Sequence, residues 1–171
     1  SLADVFSAKW YAQITPYKDL NVIGSVGYNV DNTRLHYIKN PLYGSGQDYK
    51  GQAIQAHDRY RTLNLNILAN WNHTWNDVHT VDLMASFENS AYNEEDVEAS
   101  GNNLYQPHSP YVNNTIDNKM GHGYAASLVH RGFLARAKYN YAGKYYVVGS
   151  IRRDGSSRFH KNHRWGTFWS A

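Results

Sequence analysis

The run from Ile151 to Phe159 reads IRRDGSSRF and carries the densest polar chemistry in the chain. Arg152, Arg153 and Arg158 surround Asp154, Gly155, Ser156 and Ser157, and Phe159 closes the segment. Guanidinium and hydroxyl donors around a glycine could cradle a phosphate. Nucleotide loops of that kind open a helix, however, and no helical period follows here. A structural reading needs less. Gly155 would give a turn its freedom, and Asp154 and the serines would bond their own backbone. The three arginines would pair with Asp154 or neighbouring acids and pin the loop, Arg152 lying on the polar side of its strand.

Other candidate chemistry is weaker. His160 and His163 are three apart without a third donor nearby, and His73 and His79 flank a turn containing Asp77. Zinc requires three or four convergent ligands, so no metal is expected. The stretch from Asn93 to Glu98, NEEDVE, lacks the alternate spacing of a calcium loop and reads as a solvated acidic loop. Glu94 and Glu95 are adjacent, which on a strand points them to opposite faces, against a glycosidase pair. No nucleophile elbow accompanies the Ser, His and Asp residues. No catalytic residue and no cofactor is expected.

What positions these residues is β-structure. The 171 residues include 15 Tyr, 5 Trp and 5 Phe, with much Asn and little Pro, and helix-forming stretches are missing. The balance of 17 basic to 14 acidic residues is too even for a nucleic-acid partner. Cysteine is absent, which excludes disulfides and thiolate sites. No apolar run approaches the ~20 residues of a membrane helix. The mean hydropathy of -0.68 does not exclude membrane strands, because these are apolar only at alternate positions.

That alternation is the dominant signal. Along residues 59–72, Leu63, Leu65, Ile67, Ala69 and Trp71 alternate with Thr62, Asn64, Asn66, Leu68, Asn70 and Asn72. Phe133, Ala135, Ala137, Tyr139 and Tyr141 likewise oppose Leu134, Arg136, Lys138 and Asn140. Similar rows occur around residues 6–14, 20–30 and 81–88. Period two over such lengths predicts strands with one apolar and one wet face. Short turns near residues 16–19, 75–77 and 142–144 alternate with long links near 37–58, 92–123 and 154–163, the pattern of an up-and-down meander. Six strands and the start of a seventh are expected, with no helix beyond about two turns.

Two architectures offer such faces: a soluble sandwich, in which Tyr and Trp could stack on sugars, and a membrane barrel. Rows of nine residues, 63–71 and 133–141, approach the ~9–11 that cross a bilayer obliquely. On the apolar parity, Arg34, Arg59, Arg61, Arg131 and Arg153 fall towards the long links, whereas Trp71, Tyr139, Tyr141 and Tyr145 fall towards the short turns. A bilayer imposes such sorting and a sandwich core does not. Leu63, Leu65, Ile67, Trp71, Phe133, Tyr139 and Tyr141 are therefore expected to face lipid. Asn64, Asn66, Asn70, Arg136 and Lys138 are expected to face the lumen.

The segment YAGKYYVVGSIRRDGSSRFHKNHRWGTFWSA resembles the signature region of the SusC/RagA family of TonB-dependent outer-membrane transporters of Bacteroidetes-type bacteria. Residues 145–168 match almost throughout, with His160 and His163 as variations, and KNPLYG at residues 39–44 resembles an upstream family element. The resemblance implies a barrel of about 22 strands around an N-terminal plug. It also implies TonB-powered import of glycans or peptides, and a SusD-like surface lipoprotein. Residues 1–171 are then expected to be part of the barrel wall, without plug or closing strand. SusD-like protein and TonB would be engaged through regions outside this chain, and outer-membrane lipid or lipopolysaccharide would surround it. Residues 152–159 would fix the loop at the outer rim, with contact to substrate or lipopolysaccharide phosphate as the other reading. A passive porin-like barrel also remains.

Overall fold

The computed structural model describes all 171 residues. Seven strands form one antiparallel sheet in strict chain order: β1 (Leu2–Tyr17), β2 (Leu20–Lys39), β3 (Gln52–Trp75), β4 (His79–Leu104), β5 (Thr115–Tyr141), β6 (Tyr145–Ser156) and β7 (Trp165–Ser170). β1 and β7 each have a neighbour on one side only, so the sheet is not closed. Helical structure is confined to 3₁₀ turns at Gly44–Tyr49, Val112–Asn114 and Lys161–His163. No helix is long and apolar enough to cross a membrane, which says nothing of strands.

The short turns lie where the sequence predicts them, and their backbone explains why. Asp19, Asn76 and Asp77 adopt positive φ (69°, 50° and 56°), which short polar side chains tolerate. Ala142 does so as well, at 52°, and needs help. Its amide donates to the Val78 carbonyl (2.7 Å), while Asn140 Oδ1 accepts from the Gly143 amide (2.9 Å).

The long links are shorter than predicted. They cover residues 40–51, 105–114 and 157–164, because β2 and β3 run to 20 and 24 residues and β4 and β5 to 26 and 27. Asn93 to Glu98 is therefore strand within β4 and not an acidic loop. Beyond the apolar rows the alternation breaks: acids fall on both parities of Asn93 to Glu98, and Asn118 and His122 interrupt the parity of Ile116, Met120 and Tyr124. The backbone ladder requires only N–H and C=O groups and carries on.

The sandwich alternative does not hold. There is a single sheet, and Val30 and Ala53 are its only buried hydrophobic residues. Trp10 is 61% exposed and Trp169 80% exposed, which no sandwich core would permit.

The strands contribute to two compact units. The first comprises Ser1–Phe6, Asn29–Arg61 and Asn93–Ser127. Within it, Gly51 holds φ +84° and accepts the Asn103 amide (3.0 Å), while Lys50 accepts the Leu104 amide (3.1 Å). Thr115, buried beside Gly101, donates to the Val112 carbonyl (2.6 Å). Gln55 Oε1 accepts the Val112 amide (3.0 Å), and Asn114 Nδ2 donates to Gln106 (2.7 Å). The second unit comprises Ser7–Tyr28, Thr62–Tyr92 and Leu128–Ala171 and holds the signature segment.

Gly51 is the position where the first unit depends on a missing Cβ. An added Cβ would lie 2.6 Å from Leu104 Cδ1 on an already left-handed backbone. Gly51→Ala should cost about 1–3 kcal/mol and speed hydrogen exchange at the Asn103 and Leu104 amides. Unchanged exchange at both amides would show that the glycine is dispensable.

Candidate functional site

Within the second unit, β6 brings Arg152 beside acids on its own strand and on β4. Its Nε donates to Asp154 Oδ2 (2.7 Å), and Nη2 reaches Glu88 Oε2 (3.5 Å). The register pairs Asp154 with Gly132 of β5 and Gly166 of β7. Gly132 leaves room for the charges, since a Cβ there would sit 2.9 Å from Asp154 Oδ1. A hollow of about 360 Å³ results, lined by Asn64, Asn66, Glu88, His130, Arg152 and Asp154. Two of the three asparagines singled out in the sequence thus meet the signature segment. Asn70 lies further along β3, Arg136 pairs across from Ser150 and Lys138 from Val148, away from this hollow. Gly132 and Glu88 complete the site. A glycine inside an alternating strand was the available signal for the former.

The opposite parity is aromatic. Phe133 lies 5.0 Å from Phe87 and 6.0 Å from Trp165 between ring centroids, and Arg153 sits 5.2 Å over the Trp165 ring. Leu63 and Ile67 are both exposed and Leu65 is half-buried. Towards the short turns, Trp71 stacks on His73 (5.7 Å) and Tyr139 on His79 (6.1 Å), with Tyr141 contacting His79 and Tyr145. Each histidine is engaged separately: His73 Nδ1 bonds Asp19 Oδ2 (2.7 Å) and His79 Nδ1 bonds the Tyr139 hydroxyl (2.7 Å).

The signature segment departs in part from the loop expected for it. Residues up to Ser156 are strand, and Gly155 does not adopt positive φ. Its role is steric, because a Cβ there would lie 2.8 Å from Trp165 Cε3. Among the three arginines of the segment, Arg152 alone pairs with acids. Arg153 packs on Trp165, and Arg158 uses its amide to reach Ser156 Oγ (3.4 Å). Ser157 Oγ accepts the Val129 amide (2.8 Å) and so ties the loop to β5. Exposed Phe159 contributes its carbonyl to Arg164 Nε (3.0 Å).

Beyond the apolar row of β3, in the first unit, carboxylates gather. Asp58 neighbours Asp96, with Glu94 nearby, and Tyr60 feels all three. The hydrogen bond to Asp96 is the main reason the Asp58 carboxyl titrates above its ordinary 3.8, followed by burial and charge repulsion. Arg61 pairs with Glu95, the acid of opposite parity.

Long antiparallel strands in chain order, wet on one side and aromatic on the other, define the wall of a membrane β-barrel. The comparisons agree. The TonB-dependent receptor P39 of Formosa agariphila is 31% identical over 150 residues, covering 84% of this chain and 14% of that protein. The TonB-dependent receptor P3 of the same organism is 25% identical over 179 residues, covering 99% of this chain and 17% of that protein. The RagAB peptide transporter structure superposes with a TM-score of 0.87 at 21% identity, over 98% of this chain and 19% of that one. The RagAB peptide importer in its open-open state gives 0.84 at the same identity and coverage. No family model matches the chain. The chain belongs to the TonB-dependent receptors and spans a minor part of the length of these relatives.

The Asp58 carboxyl gives a pH test. Its folded-state pKa is raised, so the folded state binds the proton more tightly than the unfolded chain. The resulting stabilisation is complete at low pH and is lost as pH rises from the unfolded value through the folded one. Asp58→Asn should therefore stabilise the protein at neutral pH, have less effect near pH 3, and flatten this part of the profile, as read from urea midpoints. A larger gain at the acid end would reverse the assignment.

Proposed function

We propose that this chain forms part of the barrel wall of an outer-membrane importer. The importer takes up bulky nutrients, glycans or peptides, in TonB-powered fashion. The observation that carries this reading is the two-faced sheet: one parity presents Asn64, Asn66 and the Arg152 ion cluster, the other Phe87, Phe133 and Trp165. Its relatives are named receptors and transporters, which supports transport and lends nothing to catalysis. The wet face, including Asn70, Arg136 and Lys138, meets the lumen or a plug. Leu63, Leu65, Ile67, Trp71, Phe133, Tyr139 and Tyr141 meet lipid. A SusD-like lipoprotein and TonB engage segments outside these residues. The signature segment braces the outer rim through Arg152 and through the Ser157 tie to β5.

Arginine scanning of the full-length protein separates the faces. Leu65→Arg and Ala135→Arg should block outer-membrane assembly, since a mid-bilayer arginine costs ~2–4 kcal/mol on a lipid face. Asn66→Arg and Asn70→Arg should assemble, as judged by heat-modifiable migration. Equal defects in both classes would sink the assignment of faces.

A further inference from the structure

Next to the ion-cluster hollow, sharing Arg131 and Gly155 with it, lies a pocket of about 300 Å³ bounded further by Val129, Ser156, Ser157, Arg164 and Trp165. Its chemistry is one-sided. No carboxylate lines it, and neither arginine forms an ion pair. Arg131 spends only Nε, on Asn89 Oδ1 (3.1 Å), and Arg164 only Nε, on the Phe159 carbonyl (3.0 Å). Both guanidiniums are thereby oriented while their terminal nitrogens remain free to donate. Ser157 Oγ accepts from the Val129 amide and Ser156 Oγ from the Arg158 amide, which leaves both hydroxyl protons available. Fixed guanidiniums and hydroxyl donors with no competing acid suit a phosphate group, which guanidinium forks bind in bidentate fashion.

The surroundings identify the carrier of that phosphate. Arg131 faces Gly155 in the β5–β6 register, and Gly155 faces Trp165 in the β6–β7 register, so these positions share the face of Phe133. Trp165 walls the pocket and contacts Phe133, with Arg153 on its ring. A phosphate whose molecule continues into apolar chains would place its charge among the arginines and its chains along Trp165 and Phe133. We infer that this pocket binds the phosphate of an outer-leaflet lipid. The inference rests on the proposed lipid-facing role of the Phe133 face.

The test uses the full-length receptor in micelles. Native mass spectrometry reads retention of bis-phosphorylated lipid A against its dephosphorylated form, and inorganic phosphate is offered separately as a competitor. The wild type should favour the phosphorylated lipid by about thirtyfold, the effect of two arginines at an anionic surface at about 1 kcal/mol each. The Arg131→Ala/Arg164→Ala variant should lose that preference while keeping heat-modifiable migration, and Arg158→Ala should keep the preference. Equal retention by wild type and double variant overturns the proposal. Binding of inorganic phosphate without preference for the lipid also overturns it, leaving a free-anion site. A nitroxide at Phe133 separates the two levels. If it is accessible to oxygen and shielded from a nickel chelate, a failed lipid test counts against the pocket alone. If the chelate reaches it, the lipid face fails together with the proposal.

Discussion

The antiparallel backbone ladder holds this chain together, because almost nothing else can. Val30 and Ala53 are the only buried hydrophobic side chains, and no second layer covers either face of the sheet. Each strand fixes its neighbour through N–H and C=O pairs that leave the side chains free to differ between faces. Continuity of pairing thus matters more than the identity of any one apolar residue. The tight turns serve that continuity, and even Ala142 accepts a left-handed backbone to preserve it.

A ladder that tolerates any side chain also explains what was legible in the sequence. Where one face meets an apolar medium, the period-two rows at residues 63–71 and 133–141 stand out, and the strands and short turns follow directly. Where acids fall on both parities the same strand leaves no pattern. The acidic stretch from Asn93 to Glu98 therefore reads as loop although β4 runs through it. Loop composition reports solvation, and solvation does not end a ladder.

The candidate site was legible in its residue types and illegible in its geometry. Arg152 and Asp154 are two apart on β6, so the pleat puts them on one face, and their bond follows from sequence spacing. Glu88 lies 64 positions from Arg152, and only the strand order brings it near. Arg153 and Arg158 were expected to pair with acids on composition alone. Arg153 belongs to the other parity, where it packs over the Trp165 ring.

A sheet without a second layer must make its recesses by omission. Gly132 and Gly155 occupy adjacent steps of the β5–β6 register, opposite Asp154 and Arg131, and therefore open onto opposite faces. On one face the missing Cβ lets the Asp154 carboxylate settle against the backbone beside Arg152. On the other it lets the Trp165 ring lie flat over the strand, between Arg131 and Arg153. Neither glycine is needed for a turn, because neither adopts positive φ. Their common effect is to seat one charged and one aromatic group at the same level of the wall. The glycine in the signature segment is thus tied to the tryptophan ten residues later, and each makes sense only beside the other.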